Sequence, residues 1–511
     1  DDLEKGRAKG AGWILAAFKN QCEAIHPERS RGIFAALRLA SLIRLYGNNA
    51  LVLSFPAFKH TSLICLKEYF STSLEMTIHH SSKAFIHNQG TAHPWATPLI
   101  YATIEKNHPF PERSPPMIHD FIYHNPTKVY FGNGMLTHLS EEISRLGSRV
   151  LLVTGGSSAK KSGLFDKVLA EISKANVDCY GLSGVKPNPE IGLVREGVRL
   201  VREKRLDLIL ALGGGSVLDT AKAIAGSAPY DADPWDLIQC RAQIDTALPL
   251  ITIPTIAATG SEMNASAVIT NPETEEKYGW TAQAFRPSVS FLCPENTYTV
   301  PAYQTACGSA DILSHIMEVY FQKEETFPAT EAYMEAMMRS VMKDAPIAMA
   351  DPANEAARAN LLWTASWAIN DFIDSGHAVS WTCHGIEHEL SAHYDITHGL
   401  GLAILTPAFL TYVLDETTAP RIARFAVGVM GVSPKGKDTI KIAQKGIKRL
   451  RKYFKKQLRL PTTLTEIGID DTRFAEMAQK TIAWKGAKDG LLHGFVDLSA
   501  KDLEEIYCLA L

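Results

Sequence analysis

No two cysteines in this sequence stand at CxxC spacing. The eight that occur, at positions 22, 65, 179, 240, 293, 307, 383 and 508, are scattered. Neither a cysteine zinc site nor a redox pair is supported, and buried free thiols in a reducing compartment are expected. No basic block tracks a phosphate backbone either: 52 Lys and Arg stand against 55 Asp and Glu, for a net charge of −3. That balance disfavours a nucleic-acid partner. The one basic run, residues 445–456 (KGIKRLRKYFKK), has the apolar spacing of a solvated helix face. The charged opening DDLEKGRAKG lacks the apolar core of a secretion signal. The most apolar early stretch, residues 32–58, is interrupted by Arg38, Arg44 and two asparagines. A charge at a helix centre in lipid costs roughly 3 kcal/mol, which argues against a membrane span. A cytoplasmic location is expected.

What is present is too long for one ordinary core. With 511 residues, 46% apolar and 21% charged, the chain calls for two or more folded domains and little disorder. Its character changes near Met117. Before that point it is rich in His, Ser and Pro, and residues 105–116 (EKNHPFPERSPP) form a breaker-rich linker. Residues 1–116 are therefore expected to be an extension without an assigned role, a small accessory domain being the alternative. From 117 to about 300, short apolar runs such as KVYF (128–131), VLLV (150–153), LDLILAL (206–212) and LITI (250–253) alternate with helical segments, one of them at 165–175. Such alternation argues for βα units and a parallel sheet. From 301 to 511 strands become scarce, and helical patterns such as 329–345 and 355–372 take over. The expected layout is an α/β domain followed by an all-helical domain.

Two small-residue loops end strands in the α/β part. Gly213, Gly214, Gly215 and Ser216 open the segment GGGSxxDxAK, which contains Asp219; Gly155, Gly156, Ser157 and Ser158 follow an earlier strand. Glycines let the backbone approach a phosphate, and a helix N-terminus offers free N–H groups to an anion. The first loop is neither GxGxxG nor a Walker loop, and a tight strand–helix turn without a ligand is the alternative. Two such loops at strand ends favour phosphate binding.

The helical part carries the metal-ligand chemistry. Asp311 and His315 are spaced i, i+4, as are His384 and His388, and His398 follows ten residues later in a segment expected to be a turn. Five of the 17 histidines fall between 377 and 398. His388 and His393 frame a near-HExxH motif, but five residues apart rather than four, which disfavours a zinc hydrolase. A carboxylate with several imidazoles suits Fe(II) or Zn(II), and burying Asp311 without a cation would be costly.

These segments, with IPTxxATGSE (residues 253–262), occur in the order seen in iron-containing alcohol dehydrogenases, and the chain resembles that family from about residue 117 to its end. More narrowly it resembles the branch of NADPH-dependent butanol dehydrogenases and broad aldehyde reductases. The start NPTKVYFG (125–132), PNPE (187–190) and Asp233-Pro234-Trp235 carry that narrower likeness. The resemblance implies a dehydroquinate synthase-like fold, with a dinucleotide-binding α/β domain (117–300) and a helical metal-binding domain (301–511). It implies one divalent metal, iron or zinc, on Asp311, His315, His384 and His398, and His388 as a nearby proton carrier. Gly213 to Ser216 match the pyrophosphate loop, while Asp219, Thr255 and Lys277 match positions near the cofactor. NAD-preferring relatives often carry an Asp after the first strand; here small residues stand there, with Lys160 and Lys161 beyond, so NADP(H) is favoured over NAD(H). A small alcohol or aldehyde substrate and a homodimer are also implied. The rivals are a glycerol- or polyol-type dehydrogenase, a cyclase of the same superfamily, and an inactive metal-binding relative.

Overall fold

Six strands pair in parallel into one sheet in the computed structural model, in the spatial order β1-β8-β5-β4-β2-β3. They are β1 (Lys128–Phe131), β2 (Arg149–Thr154), β3 (Asp178–Ser183), β4 (Leu208–Gly213), β5 (Leu250–Pro254) and β8 (Val289–Leu292). The intervening β6 (Ser266–Asn271) and β7 (Glu276–Thr281) form a separate antiparallel hairpin, with Thr270 opposite Lys277. The structure describes residues 120–511 apart from 324–326, 378, 436 and 437; before residue 120 it describes only the backbone of four short strand segments. The chain divides into two compact units, Asp1–Ser114 and Pro115–Leu511. The expectation for residues 1–116 lies outside the described residues.

The central strands are apolar without alternation because both faces are covered. Val150 and Leu152 of β2 pack with Leu208, Leu210 and Leu212 of β4 on one face. Leu151 and Val153 pack with Ile209 and Ala211 on the other. The helices lying over them include α1 (Leu139–Leu146), α2 (Ser158–Lys161), α3 (Leu164–Ala175), α4 (Ile191–Lys204), α5 (Gly215–Ser227) and α6 (Pro234–Ile238).

After Pro301 the described chain is helical. The elements are α7 (Ala302–Tyr320), α8 (Pro328–Ala350), α9 (Glu355–Trp367), α10 (Thr382–Tyr394), α11 (His398–Tyr412), α12 (Ala419–Gly428), α13 (Thr439–Lys456), α14 (Phe474–Lys485) and α15 (Ala500–Leu509). Helix α7 is buried on all sides from Thr305 to Tyr320, so it forms the axis of this half. The basic run belongs to α13, whose buried stripe includes Ile447, Leu450 and Phe454, leaving its charges a solvated face. Among the described residues no helix is long and apolar enough to cross a membrane.

Several sequence expectations need correction. The helix expected over 355–372 stops at Trp367, before Asp371 takes a left-handed φ of 70°. His398 lies not in a turn but at the first position of α11. Cys293, Cys307 and Cys383 are buried as expected, whereas Cys179, Cys240 and Cys508 are exposed, on sheet-edge and surface positions. The β6–β7 hairpin, which no sequence pattern marks, places Lys277.

Candidate active site

Strands β2 and β4 are neighbours in the sheet, but their onward connections run to opposite sides, to β3 and to β5. That is the switch point where a parallel sheet opens a crevice at its carboxyl ends. Both small-residue loops lie there. Gly155, Gly156, Ser157 and Ser158 follow β2, and Gly213, Gly214, Gly215 and Ser216 lead from β4 into α5. The loop is tightly built. A Cβ on Gly215 would lie 2.6 Å from Thr259 Oγ1. The Thr255 amide donates to Gly213 O at 2.9 Å. Asp219 is buried, and its oxygens accept from Ser261 Oγ (2.6 Å) and the Val268 amide (3.0 Å). It thereby ties α5 to the segment carrying Thr259 and Ser261. Lys160 and Lys161 lie on α2, beyond the first loop.

The helical half brings together residues from three helices. Asp311 and His315 project from one face of α7, His384 and His388 from α10, and His398 starts α11. Asp311 Oδ1 lies 3.5 Å from His315 Nε2, 3.8 Å from His384 Nε2 and 3.6 Å from His398 Nε2. The His315 and His384 rings stack at 4.8 Å. A close helix contact makes this possible. A Cβ on Gly399 would overlap the Cys307 carbonyl oxygen, so only glycine lets the start of α11 touch α7 one turn before Asp311.

The electrostatics fit a cation. Asp311 Oδ1 and His384 Nε2 are buried without a hydrogen-bond partner, leaving lone pairs for a metal to take. Burial opposes the Asp311 carboxylate, but His315, His384 and His398 outweigh it and hold its pKa well below the usual range. Burial pushes His315 down to about 3. At His384 burial opposes the charge, while the neighbouring carboxylates of Asp311 (3.8 Å) and Glu318 raise the pKa on balance. Burial and then the Lys277 cation push His388 well below the ordinary imidazole value, keeping its ring neutral. The His388 and His398 rings are 5.6 Å apart.

Two carboxylates not anticipated from the sequence lie behind the imidazoles. Glu318 Oε1 is 3.1 Å from His384 Nδ1 and also accepts the His384 amide at 2.9 Å. Glu387 Oε2 bonds His398 Nδ1 and stands 3.6 Å from Lys277 Nζ. Each bonds an imidazole on another helix, His384 for Glu318 and His398 for Glu387, so no spacing within its own helix signals it. Lys277, expected near the cofactor, is thus placed beside Glu387. His393 faces Glu275 and Glu389 instead (3.3 and 3.7 Å), as its five-residue separation from His388 requires.

A switch-point crevice lined by glycine loops, followed by a helical half holding one carboxylate among imidazoles, is the architecture of an enzyme that pairs a metal with a nucleotide. The description "Iron-containing alcohol dehydrogenase" matches residues 126–294, and "Fe-containing alcohol dehydrogenase family, C-terminal" matches residues 305–511. The chain belongs to the iron-containing alcohol dehydrogenase family. It is an oxidoreductase acting on CH–OH groups, and its family implies a metal and a nicotinamide cofactor. It is 43% identical to NADH-dependent butanol dehydrogenase A of Clostridium acetobutylicum, over 76% of this chain and 98% of that protein. It is 35% identical to the NADPH-dependent aldehyde reductase YqhD of Escherichia coli, over 71% and 93%. The crystal structure of NADH-dependent butanol dehydrogenase A from Thermotoga maritima superposes with a TM-score of 0.73 at 38% identity, covering 77% of this chain and 99% of that one.

Proposed function

We propose that residues 117–511 reduce short aldehydes to primary alcohols, and run the reverse reaction, with one divalent metal on Asp311, His315, His384 and His398. The observation that carries this reading is the convergence of three Nε2 atoms within 3.5–3.8 Å of Asp311 Oδ1. When bound, the metal supplies Lewis-acid polarisation of the substrate oxygen and the nicotinamide supplies the hydride. The chain supplies position and proton handling. The free N–H groups at the start of α5, with Gly213, Gly214, Gly215 and Ser216, hold the pyrophosphate, and Thr255 and Asp219 keep that loop in shape. Neutral His388, one turn along α10 from His384, accepts the hydroxyl proton on alcohol oxidation and returns it on aldehyde reduction.

For the cofactor we propose NADP(H). No carboxylate stands among Gly155, Gly156, Ser157 and Ser158 to repel a 2′-phosphate, and two lysines follow. The Clostridium and Bacillus butanol dehydrogenases are named NADH-dependent, so the ratio of kcat/KM for NADPH and NADH is the measurement that decides. Butanal is the first substrate to try, since those relatives are named for butanol; dihydroxyacetone with NADH tests the polyol rival. His384→Ala is expected to abolish metal content and activity together. A variant that keeps both overturns the site.

A further inference from the structure

The PNPE segment places an asparagine where two routes to His398 begin. Asn188 follows β3 and sits in the left-handed region at φ 52°, a conformation asparagine tolerates better than most residues. Its side-chain carbonyl accepts from Lys277 Nζ at 3.0 Å. Lys277, 4% exposed, stands 3.6 Å from the fully buried Glu387, whose Oε2 bonds His398 Nδ1. The Asn188 amide group donates the other way, to Asp395 Oδ1 at 2.8 Å and Ile396 O at 3.3 Å, in the loop that delivers His398 to α11. Ser391 closes the circuit: its hydroxyl bonds Glu387 and Ile396 O.

We infer that Asn188 is a positioning residue for His398, reaching it from the α/β half along both the Lys277–Glu387 pair and the 395–397 loop. This inference rests on the metal reading above. An imidazole with Nδ1 held by a carboxylate must offer Nε2, and its ring plane is set by that partner. Glu387 is itself aimed by Lys277, which Asn188 holds. Without Asn188, Lys277 and the loop lose their shared anchor, and His398 Nε2 is no longer kept near Asp311. Outer partners of metal ligands commonly alter affinity by about 10–100-fold, and a residue one step further out is expected to act at the lower end.

The test is the Zn(II) dissociation constant, measured by competition with a chromophoric chelator, beside thermal melting of the metal-free protein. Asn188→Gly keeps the left-handed backbone and removes both arms. Asn188→Asp keeps the Lys277 contact but sets a carboxylate against Asp395. Each is expected to weaken Zn(II) binding about tenfold. Lys186→Ala, which breaks the exposed Lys186–Glu190 pair of the same loop (2.9 Å) and none of the Asn188 hydrogen bonds, is expected to bind like the parent. A merely structural role would lower the melting temperature and leave the dissociation constant unchanged, and that result in both Asn188 variants overturns the inference. If the parent protein itself binds no Zn(II), the metal reading fails instead.

Discussion

At the scale of single residues, the site works by setting which groups carry charge. His388 is kept neutral by burial and by Lys277 while its neighbours converge on Asp311. His388→Ala is therefore expected to lower kcat by about 10²–10³-fold with metal content unchanged, read by elemental analysis beside steady-state rates. Loss of metal in that variant would contradict the role. Glu389, on the same helix but facing away, gives a second test. Burial raises its pKa from 4.5 to about 7. The folded state then holds a proton that the unfolded state releases between those values, so stability is present below 4.5 and is lost as pH rises through 7. Relative to Glu389→Gln, the parent should lose on the order of 2 kcal/mol between pH 5 and pH 7.5 in urea titrations. Parallel pH profiles for the two proteins would count against a buried, protonated Glu389. Residue types and spacings brought out Asp311, His315 and the histidine cluster of residues 377–398 in the sequence, and the family resemblance singled out His384 and His398 within it. Glu318 and Glu387 were not legible, because a carboxylate among helix residues carries no mark of what lies opposite it.

At the scale of elements, the distances in the site depend on how closely helices and loops approach. Helix α11 meets α7 through Gly399, and the contact is with backbone, which cannot rotate away. Gly399→Ala is expected to destabilise the protein by about 1–3 kcal/mol and to weaken metal binding, because α11 must move and carry His398 with it. Denaturant unfolding of the metal-free protein and chelator competition read the two effects separately. The strands that position the cofactor loops were legible as unbroken apolar runs, and they are unbroken because helices cover both faces. The β6–β7 hairpin was not, because its residues, half-buried and mixed in polarity, show neither an apolar run nor clean alternation. With it went the contact of Lys277 with Glu387.

At the scale of the whole molecule, the family match begins at residue 126, and the relatives are covered over nearly their full length by the later part of the chain. A protein spanning 117–511 is expected to retain nicotinamide-dependent butanal reduction and metal binding at parent level; loss of both on removing residues 1–116 would show that the match omits something essential. Metal added at 100 times its dissociation constant should stabilise either form by about 2.7 kcal/mol, read as a shift in melting temperature. By itself the sequence determined the two kinds of architecture, the loops that can approach a phosphate, and the donor types of the site, since periodicity, glycine placement and ligand chemistry are local properties of a chain. Only the tertiary structure decided which side chains stand within about 4 Å of one another, that Glu387 meets Lys277 while Lys277 meets Asn188, and that His393 faces Glu275. Those facts depend on how helices cross and where loops close, and residues far apart in sequence carry no local trace of their future neighbours.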